Sequence, residues 1–176
     1  ETATYRPAEI PLFYQGVDTA TADVLQAMSD EVQTIAHAVA TRQPGFNPQE
    51  VLSLYDWVLQ AYANDIADPS TLRTAFNTNR AYTGLRVPSR PAGPDLFEID
   101  FSARYLAEDV PFGLVVLRGI AELAGVSTPA IDRVILWAQT RLKREYLTGG
   151  KLGGADLPAT RAPQVYALQT LAQLVS

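Results

Sequence analysis

The block Arg104-Tyr105-Leu106-Ala107-Glu108-Asp109-Val110-Pro111 sets one guanidinium and two carboxylates directly ahead of a very apolar stretch. An arginine fork grips a carboxylate through two parallel hydrogen bonds. A carboxylate beside a helix start can handle a proton, or orient a group that does. Together they suit a site that holds an anionic small molecule and moves a proton. On a regular helix, five residues place Arg104 and Asp109 about 140° apart, too far to aim both at one ligand. Pro111 disfavours helical geometry at Val110. A break is therefore expected there, with Asp109 at the mouth of the next helix and Arg104 approaching from the preceding turn. The plainer alternative is structural: Asp109 caps the helix, and Arg104 pairs with Glu108 at i,i+4 on the surface.

A second candidate wall is the loop Asn79–Pro88, where a Tyr82-Thr83-Gly84 turn lies between Arg80 and Arg86. Tyr82 and Arg86 suit the lining of an anion pocket; a solvated loop is the alternative. His37, the only histidine, lies mid-helix with no carboxylate beside it and reads as structural. Gly149-Gly150-Lys151-Leu152-Gly153-Gly154 fails the phosphate-loop spacing and follows a helix, so it reads as a turn. Neither a G-x-S-x-G elbow nor a G-x-G-x-x-G fingerprint is present. With one histidine and no cysteine, no metal site is expected. Trp57 and Trp137 fit helix positions at the core or its edge.

The elements that must position these residues follow from period and punctuation. From Asp18, apolar residues recur at three and four through Val39, giving a long amphipathic helix stopped by Pro44-Gly45. Asn47-Pro48 opens a second helix, with Val51, Leu54, Tyr55, Val58, Leu59 and Tyr62 as its buried stripe. A short helix follows Asp68-Pro69-Ser70, with Leu72, Ala75 and Phe76 inward. Residues 79–100, with three prolines, form the one long loop. A helix from about Pro111 to Ala124 is apolar nearly all round, hence central and buried, and Gly125 stops it. Thr128-Pro129 opens another, and a last helix runs from about Pro163 to Val175. No strand alternation stands out, so the fold class expected is all-α, a single domain over 1–176 around a central buried helix.

Composition narrows the function. A net charge of −5 leaves no basic footprint for nucleic acid. No apolar run approaches the roughly 20 residues of a membrane span. The absence of cysteine fits a reducing, cytoplasmic setting. The chain opens at Glu1 without an initiator Met, so it is expected to be part of something longer.

Taken in order, these blocks resemble the α-helical domain of the octopine/nopaline (opine) dehydrogenase family. The resemblance runs from Phe13-Tyr14-Gln15-Gly16 through Asp30-Glu31, Tyr82-Thr83-Gly84 and Arg104–Pro111 to Gly125–Asp132 and Gly150–Leu157. The Arg-Tyr-Leu-x-Glu-Asp and Gly-Val-x-Thr-Pro-x-Ile-Asp blocks are the specific ones. The resemblance implies a helical domain of the 6-phosphogluconate-dehydrogenase C-terminal kind. It implies reductive condensation of an amino acid with an α-keto acid by NAD(P)H, the NAD or NADP being bound by a separate Rossmann domain. It gives Arg104 a substrate carboxylate and Asp109 a catalytic histidine to orient. That histidine belongs upstream of Glu1, and His37 does not replace it, so this chain alone should not catalyse hydride transfer. Two alternatives stand beside this reading. One is the helical domain of a ketopantoate- or glycerol-3-phosphate-type dehydrogenase, which uses a catalytic lysine, whereas this chain has only Lys143 and Lys151. The other is a non-catalytic binding or dimerisation module. The partners expected are the two small substrates and the Rossmann domain, with a homodimer open.

Overall fold

The three-dimensional structure, a computed structural model, describes residues 3–174. Where the sequence reading treats the chain as one domain, its contacts divide it into two compact units. The first takes the residues up to Gln26 and Leu54–Ala103; the second takes Ala27–Ser53 and the residues from Arg104 onward.

In the first unit, β1 (Thr4–Tyr5) leads to α1 (Thr19–Ala40), whose first turns belong here. Asp18 closes the start of α1 by accepting the Thr21 amide at 2.7 Å, and bonds from Thr21 hold its carboxyl below the ordinary range. Then come α2 (Leu54–Ala61) and α3 (Leu72–Asn77). Thr71 and Thr74 bond each other's backbone amides across the first turn of α3. The core is Val58, Leu72, Ala75, Phe76 and Tyr82, with Tyr14 and Tyr62 packed on it. Leu72, Ala75 and Phe76 point inward as the short-helix reading requires.

The mainly helical class holds, but the stretch expected to be one long loop carries strands. Residues 79–100 contain β2 (Ser89–Gly93) and β3 (Leu96–Ile99), which pair with β1 in an antiparallel sheet of order β1-β3-β2. Arg90 and Glu98 face each other in register and join at 2.6 Å. Pro91 lies beside an irregularity in the β2 register, the place where a sheet tolerates proline. The chain is still mainly helical, with these short strands added.

In the second unit, the remainder of α1 packs with α4 (Arg104–Ala107), α5 (Val115–Ala124) and α6 (Pro129–Leu142). Ile131, Ile135 and Val115 are fully buried, and each contributes about 2 kcal/mol of burial. Gly125 ends α5 at φ 67°, a left-handed turn that suits glycine. A hairpin of β4 (Leu147–Thr148) and β5 (Lys151–Leu152) follows, turned by Gly149 and Gly150, both at positive φ. The glycine-rich segment is thus a turn, as read, though one flanked by strands.

Other expectations change here. Asn47 does cap a turn at Pro48, accepting the Gln49 amide at 3.1 Å, but that turn is a single 3-10 turn, Pro48–Glu50. The chain extends at Val51, and the helix proper waits until Leu54. The last helix is also interrupted. A 3-10 turn, Pro163–Tyr166, stops at Ala167 with φ 57°, and α7 is only Leu171–Leu174. The end expected for that helix, Val175, lies outside the described residues. Trp57 and Trp137 are not core residues: they are 48% and 43% exposed, and Trp137 carries the Arg141 guanidinium 3.9 Å above its ring. No helix among the described residues is long and apolar enough to cross a membrane.

Candidate active site

The helical path from Arg104 does not break at Pro111, contrary to the sequence expectation. The Glu108 amide bonds the Arg104 carbonyl at 2.8 Å, and the Phe112 amide bonds the Glu108 carbonyl at 3.0 Å. Proline lacks an N–H, and in a tight α-helix its ring presses on the carbonyl four residues back. The chain relieves this by widening into a π turn, Val110–Leu114, closed by the Val115 amide on the Val110 carbonyl.

That wider turn decides which side chains face outward. The inward positions are Leu106, Val110, Val115 and Gly119, a spacing of four, five and four. In an unbroken α-helix, Arg104 would lie about three full turns before Val115 and point with it into the core. With the extra residue taken up in the π turn, Leu106 and Val110 hold the inward direction. Arg104, Tyr105, Glu108, Asp109 and Phe112 are all exposed. On a helical wheel, Arg104 and Asp109 bound an arc of about 140°, with Tyr105 and Glu108 between them.

Arg104 Nε lies 3.9 Å from Glu108 Oε2, with side-chain exposures of 73% and 59%, which is the surface pair of the plainer reading. Asp109, however, is not a cap: its backbone is helical, at φ −69° and ψ −28°, and its side chain makes no capping bond. Phe112 is 50% exposed and has the Arg161 guanidinium 5.9 Å from its ring centre. The helix expected to be apolar all round and buried is therefore buried mainly in its later turns.

The two loop candidates belong to the first unit and fare differently. Tyr82 does not line an open pocket wall: it is 7% exposed, stacks on Tyr14 at 4.1 Å and meets Tyr62 at 4.9 Å. Burial, and then the hydrogen bond with Tyr62, push its hydroxyl pKa well up, so it stays protonated. Arg86 is exposed, but one of its terminal nitrogens donates to the Ile10 carbonyl, tying the loop to the N-terminal segment. A cavity of about 330 Å3 in this unit lies between the first turns of α1 and α3, against Asp23, Gln26, Thr71 and Arg73. None of the four residues named from sequence lines it. His37 is exposed on α1.

Two polar groups in the second unit have roles that the sequence reading did not assign. Arg118, only 10% exposed, bonds Asp132 at 2.6 Å, Glu122 at 3.0 Å and the Gly150 carbonyl at 3.1 Å. It ties α5 to α6 and to the hairpin. Its i,i+4 spacing to Glu122 was the available signal. The α6 start is closed by Glu31 on α1, whose two oxygens accept the Ala130 and Ile131 amides at 2.7 and 2.9 Å. Thr128 stands at the cap position without making the capping bond. These contacts give a structural use to Asp30-Glu31, Thr128–Asp132 and the glycine turn.

Residues 2–142 match the family model described as NAD/NADP octopine/nopaline dehydrogenase, alpha-helical domain. The chain is 46% identical over 161 residues to the tauropine dehydrogenase of Arabella iricolor, covering 92% of this chain and 41% of that protein. It is 44% identical over 163 residues to the octopine dehydrogenase of Pecten maximus, covering 93% of this chain and again 41% of the relative. A solved octopine dehydrogenase with NADH and L-arginine superposes with a TM-score of 0.89 at 43% identity, over 94% of this chain and 41% of that one. The chain thus spans about two fifths of the length of these relatives. It belongs to the NAD/NADP octopine/nopaline dehydrogenase family and matches the alpha-helical domain of that family.

Proposed function

We propose that this chain is the substrate-side half of an NAD(P)H-dependent opine-type dehydrogenase that reductively condenses an amino acid with an α-keto acid. The observation that carries the reading is the outward face of α4 and the π turn. There Arg104 and Asp109 both lie in solvent, two residues from Leu106 and next to Val110, which pack inward. An arginine fork on such a face binds a keto-acid carboxylate. Asp109, without a capping role, is available to orient a histidine and favour its protonated form, which polarises the keto oxygen. Within the first unit, Tyr82 packs under the loop that carries Arg86, whose guanidinium is tied to the Ile10 carbonyl.

The residues present do not form a dinucleotide cradle. Every described strand pair is antiparallel, and no glycine fingerprint leads from a strand into a helix. The hydride donor, NAD or NADP, is bound by a Rossmann domain in the same or a partner chain. The setting is cytoplasmic, in keeping with a chain free of cysteine.

The test is Asp109→Asn in the enzyme carrying both domains. Turnover should fall by roughly 100-fold or more while the melting temperature holds. Unchanged kinetics would remove Asp109 from the mechanism. Binding of keto acid with no NAD(P)H oxidation by the unmutated two-domain enzyme would make this a binding module instead.

A further inference from the structure

We infer that Arg161 is a second carboxylate anchor on this face: it takes the carboxylate of the amino-acid substrate, while Arg104 takes that of the keto acid. This role rests on the reading of the Arg104–Asp109 face as the substrate side, and adds the residue that recognises the second substrate.

The main chain on either side of Arg161 fixes its place. Its neighbours Thr160 and Ala162 are both fully buried. The Thr160 hydroxyl donates to the Leu157 carbonyl at 2.8 Å and accepts the Ala162 amide at 3.2 Å. The chain then crosses α5 at Gly119, whose carbonyl accepts from Gln164 Nε2 at 2.9 Å. The crossing is tight: a Cβ on Gly119 would come 2.5 Å from Gln164 Oε1 and 2.7 Å from Pro163 Cδ. From between two buried residues, the exposed Arg161 side chain reaches back along the path to Phe112, its guanidinium 5.9 Å from the ring centre. Among the described residues it takes part in no ion pair. A guanidinium over a ring keeps its N–H edge for an oxyanion.

Phe112 sets the distance from this cation to the first one. The Glu108 amide bonds the Arg104 carbonyl and the Phe112 amide bonds the Glu108 carbonyl, so the three residues stand on successive turns of one side. Arg104 and Phe112 are then about 12 Å apart along the axis. The face reads cation, carboxylates, cation: Arg104 at one end, Glu108 and Asp109 next, Arg161 at the other end. Reductive condensation of an amino acid with an α-keto acid yields a secondary amine flanked by two carboxylates. Its charges run negative, positive, negative, the complement of that order. One guanidinium fork grips one carboxylate, and Arg104 alone would leave the second acid without a partner.

The probe is iminodiacetate, two carboxylates joined through one amine with no side chain, set against pyruvate, which has a single carboxylate. Binding of each is measured by calorimetry on the enzyme carrying both domains, with NAD(P)H present. Arg161→Ala should weaken iminodiacetate by at least about tenfold and pyruvate by less than about twofold. Arg161→Lys keeps the charge and should recover part of the loss. The melting temperature should hold in both variants, since the side chain is exposed. Unchanged iminodiacetate binding in Arg161→Ala overturns the inference, as does equal weakening of the two probes. So does a parent enzyme that binds pyruvate and not iminodiacetate. Arg104→Ala separates the two levels, because it should weaken both probes. If pyruvate binding survives that change, the reading of Arg104 as the keto-acid anchor fails, whatever Arg161 does. A parent that binds neither probe removes the substrate-side reading, and the role of Arg161 with it.

Discussion

Arg104 and Arg118 stand fourteen residues apart on one helical path and live in opposite surroundings. Arg104 lies in solvent with a single carboxylate at 3.9 Å. Arg118 is enclosed and bonds two carboxylates and a carbonyl. A buried guanidinium left unpaired is costly, so Arg118 is fully committed to its partners. An exposed one costs nothing to leave waiting. The difference separates two tasks that sequence cannot tell apart by residue type: the later half of the path holds the unit together, and the earlier half is free to bind something else.

The comparison is open to direct attack. Arg118→Met should lower stability by about 2–3 kcal/mol, reduced from a fully buried case because Glu122 and Asp132 keep some access to water. Arg104→Ala should leave the denaturation midpoint where it is. Equal losses for the two would erase the distinction. A smaller change tests the α6 cap: Glu31→Gln removes the charge and one acceptor, and should cost about 1 kcal/mol in a denaturant titration. If stability is unaffected, Thr128 or water is doing the capping.

The smallest effect concerns acid. The Asp156 carboxyl is held below its ordinary range, first by the Glu145 amide at 2.9 Å and then by Arg144. A depressed native pKa means stability that is complete above the unfolded value near 4 and is lost as pH falls from there through the lower native value. Asp156→Asn should therefore flatten the fall in melting temperature between about pH 5 and pH 3, by a margin kept small by solvent screening. A slope identical to the parent's would assign acid sensitivity to other groups, Asp18 among them.

Much of this was legible wherever local signals were complete. The long amphipathic run gave α1, and Pro129 with Gly125 marked the junction of α5 and α6. The Arg104–Pro111 block located the exposed face. The strands were not legible. β1 is two residues long and finds its partner some ninety residues away, and β2 contains Pro91. Ala167 in a left-handed conformation carries no mark in its residue type, so the last helix read as continuous. Tyr82 was misplaced because turn chemistry fixes the backbone and leaves open whether the ring points to water or to Tyr14. The π turn was visible only as a change in apolar spacing from four to five, which a regular helix wheel smooths over.

The Glu31 bonds have a kinetic meaning as well. The partners are 99 and 100 residues apart in sequence, so this cap on α6 forms only once α1 has docked, with all the chain between them spanned. The start of α6 is then no fraying end. In native-state hydrogen exchange the Ala130 and Ile131 amides should leave with the slowest, globally opening class, while ordinary helix starts exchange by local opening. A contact that reads statically as one more cap thus makes the second unit's two sequence segments succeed or fail together.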